Sequence, residues 1–187
     1  MNTLQNISAL THRSMLSYNK QHDSRLEAII DDLTPCLKHR ESGRIYDTEV
    51  RLFTNADLLQ THGWSFNWSQ YFKLQGFEVY KLLIRGQDRI EGLVCLEPQE
   101  NFIFVHLVES APWNVGSSEK EFIGVGAHLF SIACKRSFEL GFEGYICFEP
   151  KTKLFVHYER ELKAVSIGRG RMALATQAAR ELVDIYF

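Results

Sequence analysis

The hydrophobic rhythm of the chain changes near Thr48. Before it, polar residues such as Asn2, Asn6, Thr11, Ser14, Ser17, Asn19 and Ser24 dominate a stretch poor in β-branched residues. Leu26, Ile29, Ile30 and Leu33 fall at i, i+3, i+4 and i+7, and Ser24 with Glu27 makes a capping box. This spacing predicts a helix over residues 24–34, docked on an apolar patch of the following domain or of a second subunit. Pro35 weakens or bends any continuation of that helix, and Ser42-Gly43 is the joint. The expected organisation is a helical N-terminal appendage over residues 1–47 and one domain over residues 48–187.

From Thr48 the elements become regular. Glu49–Phe53 reads as a short strand, and Thr54 or Asn55 opens a helix through Leu59 that Gly63 ends. Trp64, Trp68, Tyr71 and Phe72 recur near helical spacing, which predicts core packing, with a substrate-facing wall as the alternative. Three strand-like runs come next, Glu78–Ile84, Arg89–Leu96 and Asn101–Glu109, separated by short polar breaks of hairpin type. A loop over Ala111–Phe122 leads into a helix from about Gly124 to Leu140, stopped by Gly141. Tyr145–Phe148 is a strand, Lys151–Leu162 is helical, Met172–Leu174 is a strand, and Thr176 caps a last amphipathic helix over Ala178–Tyr186.

Composition narrows the class. At 187 residues with 45% hydrophobic and 24% charged positions, the chain suits one globular domain plus a short appendage. Such a domain buries roughly 70% of its unfolded surface and needs no disulfide or metal to fold. The net charge is −2, with six basic and six acidic residues before Thr48 and 15 against 17 after Asp47. That balance argues against a nucleic-acid binder and a polybasic membrane anchor. No apolar run approaches the roughly 18 residues of a membrane span, and the N-terminus has no basic segment followed by an apolar one. Four separated cysteines without a CxxC pair are expected to be reduced, three of them buried, in a cytoplasmic protein.

The most informative motif is Gly124-Val125-Gly126-Ala127, at the start of an apolar-faced helix. Glycines there let a ligand approach the backbone. The first-turn N–H groups, with the helix dipole, then suit an anion such as a pyrophosphate. A GxG pair by itself also serves merely to turn a chain. No GK[ST] follows, so this is not a Walker loop, and an antiparallel meander precedes it, so it is not a dinucleotide fingerprint.

Taken in order, the three antiparallel strands, the glycine turn, the strand and a helix carrying His157-Tyr158-Glu159-Arg160-Glu161-Leu162 resemble the GNAT superfamily of acetyl-CoA-dependent N-acetyltransferases. Glu121-Phe122-Ile123-Gly124-Val125-Gly126 aligns with that family's [QR]-x-x-G-x-[GA] phosphate loop, HYEREL is similar to its FYEKLGF segment, and EVRLFTNAD to its opening strand and helix. The resemblance covers about Thr48 to Phe187. It implies an α/β (α+β) fold, a mixed, mostly antiparallel, splayed sheet flanked by helices. Glu121 departs from the pattern by placing a carboxylate where Arg or Gln is usual, with Lys120, His128, Lys135 or Arg136 available to offset it. Lys151 stands where many members have Asn, and Leu162-Lys163-Ala164 replaces the usual Gly-Phe.

The resemblance also implies a chemistry. An amine attacks the thioester carbonyl of acetyl-CoA, a tetrahedral oxyanion forms, and the CoA thiolate leaves. Backbone at Val108 to Ser110 would bond the pantetheine arm, and the N–H groups of Phe122, Ile123, Gly124, Val125, Gly126 and Ala127 would hold the pyrophosphate. Tyr158 matches the usual general acid, a phenol with a reference pKa of about 10. His157 points to another side of its helix. Glu109 is the first candidate for the base, His106 with a reference pKa of about 6.5 the second, and Glu149 the third. No metal-ligand set is visible. The leading expectation is an N-acetyltransferase for a small-molecule or peptide amine, with homodimerisation open. A non-catalytic acyl-CoA-binding or protein-interaction module on the same fold is the alternative.

Overall fold

The computed structural model describes residues 25–116 and 119–187. Its main sheet has seven strands. In chain order these are β3 (Thr48–Leu52), β4 (Glu78–Ile84), β5 (Ile90–Pro98), β6 (Ile103–Ser110), β8 (Ile146–Phe148), β9 (Val165–Gly168) and β10 (Arg171–Leu174). The spatial order is β3-β4-β5-β6-β8-β10-β9, and within it only β6 and β8 run parallel. A small second sheet joins β1 (Leu37–His39), β2 (Ile45–Tyr46) and β7 (Phe122–Ile123). The α-helices are α1 (Trp68–Phe72), α2 (Val125–Glu139), α3 (Phe155–Leu162) and α4 (Thr176–Tyr186). The expected mixed, mostly antiparallel sheet flanked by helices is the fold observed.

Alternation along the strands builds two cores. Leu82, Val94 and Leu96 join the cluster with α2 and α4, while Leu83, Leu93 and Cys95 join one with Trp64 and Trp68. Successive side chains of a strand point to opposite faces, so the central strands are covered on both. Trp64 and Trp68 are therefore core residues, as the helical spacing predicts. The helix expected from Thr54 or Asn55 is a 3-10 turn, Asn55–Thr61, held by Asp57 accepting the Thr54 N–H at 2.7 Å.

The helix expected over residues 24–34 is not formed in its described part, which has no regular secondary structure beyond an isolated parallel bridge between Leu26 and Pro150. Leu26 (1% exposed) and Ile30 (3%) are buried in the main core, while Ile29 (56%) and Leu33 (42%) face out. An isolated helix of eleven residues is marginal. Here the backbone groups find better partners in the domain. The Leu26 N–H donates to the Glu149 carbonyl at 2.8 Å, the Lys151 N–H to the Leu26 carbonyl at 2.9 Å, and the Ile30 N–H to His157 Nε2 at 2.8 Å. Residues 1–24 of the expected appendage lie outside the described residues. All four cysteines are free, and among the described residues no helix is long and apolar enough to cross a membrane.

Candidate active site

The site begins with a change of register. Cys95 faces Leu107 but Leu96 faces Val105, so His106 is an extra residue on β6. A bulge of this kind bends its strand and increases the local twist. The last pair between β6 and β8 is Val105↔Phe148, one residue before the bulge. Beyond it, among the described residues, β6 runs on to Ser110 paired with β5, while the chain after β8 bonds at Glu149 and Lys151 to Leu26 instead. The splay that the resemblance implies is thus present. A cavity of about 800 Å³ opens there, lined by Val108 and Ser110 of β6, Val125 and Gly126 of α2, and Ala28 and Asp31 of the N-terminal segment.

The glycines at the start of α2 are required by close approach. Gly124 has φ +92°, and a Cβ on it would lie 2.5 Å from Thr34 Oγ1. A Cβ on Gly126 would lie 2.7 Å from the Ile29 carbonyl oxygen. The group that approaches is the chain's own segment. Asp31 Oδ1 accepts the Gly124 N–H at 2.9 Å, and Asp31 Oδ2 accepts from Lys120 Nζ at 2.8 Å. A carboxylate therefore sits where the helix dipole favours an anion. Of the other expected anion contacts, Val125 and Gly126 line the cavity and Ala127 is buried in the core. Phe122 and Ile123 belong to β7 and pair with β1, and the Phe122 N–H already donates to Asn114 Oδ1 at 3.0 Å.

Glu121, the departure in the motif, is held away from the helix end. Arg89 grips it through Nη1 at 3.0 Å and Nη2 at 2.8 Å, and also donates to the fully buried Glu91 at 2.8 Å. Glu91 accepts in addition from Trp113 Nε1 and Asn114 Nδ2, both at 2.8 Å. This network fixes the loop after β6 and shields the Glu121 charge from the helix end. Of the cations expected to offset Glu121, only Lys120 lines the cavity. Arg136 pairs with Glu78, Lys135 lies over Phe187, and burial holds His128 down to about 3 and so neutral.

Tyr158 is fully buried against Phe130 and Phe148, and its Oη donates to the Ala28 carbonyl at 2.7 Å. Burial pushes its phenol well above the ordinary value. Glu109 lines the cavity, with Oε1 accepting the Ser65 N–H and Oε2 the Trp68 Nε1–H, each at 2.6 Å. His106 stands apart: its Nε2 lies 2.7 Å from Glu97 Oε2, and its ring packs between Phe77 and Phe104, outside the cavity lining. Among the described residues no group of three acidic, His or Cys side chains is placed to hold a metal. Sequence reasoning missed Asp31, Glu27, Arg89 and the acceptor role of His157. Their partners lie 93 residues away for Asp31 and 127 for His157, and no local pattern carries such a signal.

The topology and the splay decide the fold. It is a GNAT-type acyltransferase fold. The chain is similar to the spermidine/spermine N-acetyltransferase SpeG from Vibrio cholerae, solved in complex with manganese ions, at 16% identity and a TM-score of 0.50, covering 72% of this chain and 96% of that one. A chimera of the Vibrio cholerae spermidine N-acetyltransferase SpeG and hSSAT gives a TM-score of 0.50 at 14% identity, over 72% of this chain and 99% of the other. An acyl-CoA N-acyltransferase from Pseudomonas aeruginosa aligns over 70% of this chain and 99% of its own at 14% identity and a TM-score of 0.49. No protein-family model matches the chain, and no curated protein matches it in sequence.

Proposed function

We propose that this GNAT-type domain is an N-acetyltransferase that uses acetyl-CoA and a small-molecule or peptide amine. The observation that carries the reading is the parting of β6 from β8 directly beside the glycine-opened start of α2. The groove this makes fits the donor chemically. The helix N-terminus and Lys120, Lys151 and Lys153 supply positive potential for phosphates once the Asp31 and Glu27 carboxylates that engage them have left, and the backbone of Val108 to Ser110 lines an apolar-walled slot for an extended arm.

Acetyl-CoA supplies the acetyl thioester. Glu109 takes a proton from the ammonium of the acceptor, directly or through a water, and the Ser65 and Trp68 N–H groups hold its carboxylate in place. Tyr158, buried behind Ala28 and not itself among the residues that line the cavity, gives its phenolic proton to the leaving sulfur once the Ala28 carbonyl has moved off its hydroxyl; burial keeps that phenol protonated at neutral pH. His106, engaged with Glu97 outside the cavity, drops out as the base. The polyamine acetyltransferases of similar fold support a small amine as acceptor, and the four free cysteines support a cytoplasmic setting.

Titration calorimetry with acetyl-CoA and a thiol-release assay over polyamines, amino acids and peptides test the proposal. Binding with amine-dependent CoA release is the expected result; release from no amine leaves the reading as a catalyst without support. A non-catalytic acyl-CoA-binding module is the second reading, favoured by the engagement of the Tyr158 hydroxyl with the chain's own Ala28.

A further inference from the structure

Resting on the acyl-CoA reading above, we infer that residues 26–34 are an intramolecular occupant of the acyl-CoA groove, which the acyl donor displaces in order to bind. The segment satisfies the groove as a ligand would. Leu26 adds a parallel bridge to the chain leaving β8, inside the splay. The Ala28 carbonyl takes the Tyr158 hydroxyl. The Ile29 backbone lies against Gly126, and Asp31 takes the Gly124 N–H.

The charges follow the same logic. Glu27 pairs with Lys151 and Lys153, and Asp31 with Lys120. These three lysines line the same cavity. Two carboxylates thus meet the cations and the helix end that phosphates of an acyl-CoA would need. Both sets of anions cannot occupy those groups together, so binding of one excludes the other.

The hold is suited to displacement. The segment forms no helix, and of its side chains Leu26 and Ile30 are buried in the main core while Ala28 packs against it half-buried. Ile29 and Leu33 stay exposed, and Thr34 Oγ1 is buried without a hydrogen-bond partner. Along β6 the cavity beside Val108 and Ser110 is open, a foothold from which a ligand can begin to replace the segment. The apparent Kd for the donor is then the intrinsic value divided by the fraction of molecules in which the segment has left. The device is autoinhibitory: activity is set by the influences that draw residues 26–34 away.

The test uses the full chain and CoA itself as the probe. Calorimetry compares wild type, Asp31→Asn and the Glu27→Gln/Asp31→Asn double variant, with circular dichroism checking that each is folded. Removing one charged partner at the helix end is expected to tighten CoA binding on the order of tenfold, and the double variant further. In wild type, amide exchange at Leu26 and Ile30 is expected to be slow without CoA and fast at saturation, with α2 and β6 protected throughout. CoA affinity unchanged or weakened in Asp31→Asn, with Leu26 and Ile30 protected equally or better when CoA is bound, overturns the inference alone and makes the segment a fixed wall of the site. Absence of CoA binding in all three folded proteins overturns the acyl-CoA reading as well.

Discussion

The phenol of Tyr158 and the carbonyl of Ala28, 130 residues apart in sequence, are joined by a 2.7 Å hydrogen bond. The expected acid and the N-terminal segment are therefore coupled. Tyr158→Phe keeps the ring packing but leaves the carbonyl without its donor, a loss of about 1–3 kcal/mol. Turnover should fall on the order of 10²–10⁴-fold, as for loss of a general acid, while CoA affinity holds or improves. Denaturant unfolding and thiol release on the same preparation separate the two effects. Wild-type turnover would assign the proton to another group.

Gly126 admits no side chain in this state, because the Ile29 carbonyl lies 2.7 Å from where a Cβ would stand. Gly126→Ala should release residues 29–34, seen as faster amide exchange at Ile30, and leave the α2 amides protected. Gly126→Glu adds a carboxylate at the anion site and should abolish CoA binding. Undiminished CoA affinity in folded Gly126→Glu would remove the helix start from the proposed binding site.

Glu91 is fully buried and anchors Arg89, Trp113 and Asn114. Arg89→Met removes the cation and strands that carboxylate, with an expected cost of about 1.5–3 kcal/mol in urea unfolding, the range for hydrogen bonds to charged groups. Glu121→Gln touches only the half-exposed end of the network and should cost well under half as much. Equal costs would show that Glu91 is not the anchor.

His128 gives a pH signature. Burial, with a smaller contribution from Lys135, lowers its pKa to about 3, against 6.5 for the free side chain. The unfolded chain binds this proton and the native one does not, so stability is fully present above pH 6.5 and falls as the pH drops toward 3. His157, also lowered by burial, adds in the same direction. His128→Leu should flatten the stability profile between pH 6.5 and the onset of carboxylate protonation near 4.5. An unchanged slope would locate the titrating group elsewhere.

The repeated, local features of this protein are legible in its sequence. The strand runs from Glu78 to Glu109, the helix after Gly124 and the last amphipathic helix follow from periods of two and 3.6 and from glycine stops, and the order of the motifs carried the fold. Glu109 beside the cavity was legible from its place near the end of a strand. Features that rest on partners distant in the chain were set by the folded arrangement instead. The stripe at Leu26, Ile29, Ile30 and Leu33 has helical spacing, yet the Glu149 carbonyl, the Lys151 N–H, His157 and the Gly124 N–H offered its backbone and side chains stronger partners than its own turns. The carboxylate of Glu121, next to a phosphate-type loop in sequence, was drawn off by Arg89. His106 has the chemistry of a base, but the bulge placed it with Glu97. In each case the sequence states which group is present. Where its hydrogen bonds go depends on which elements the fold brings within roughly 3 Å, a range at which a well-placed backbone, imidazole or charged partner outweighs a local preference of a few tenths of a kcal/mol.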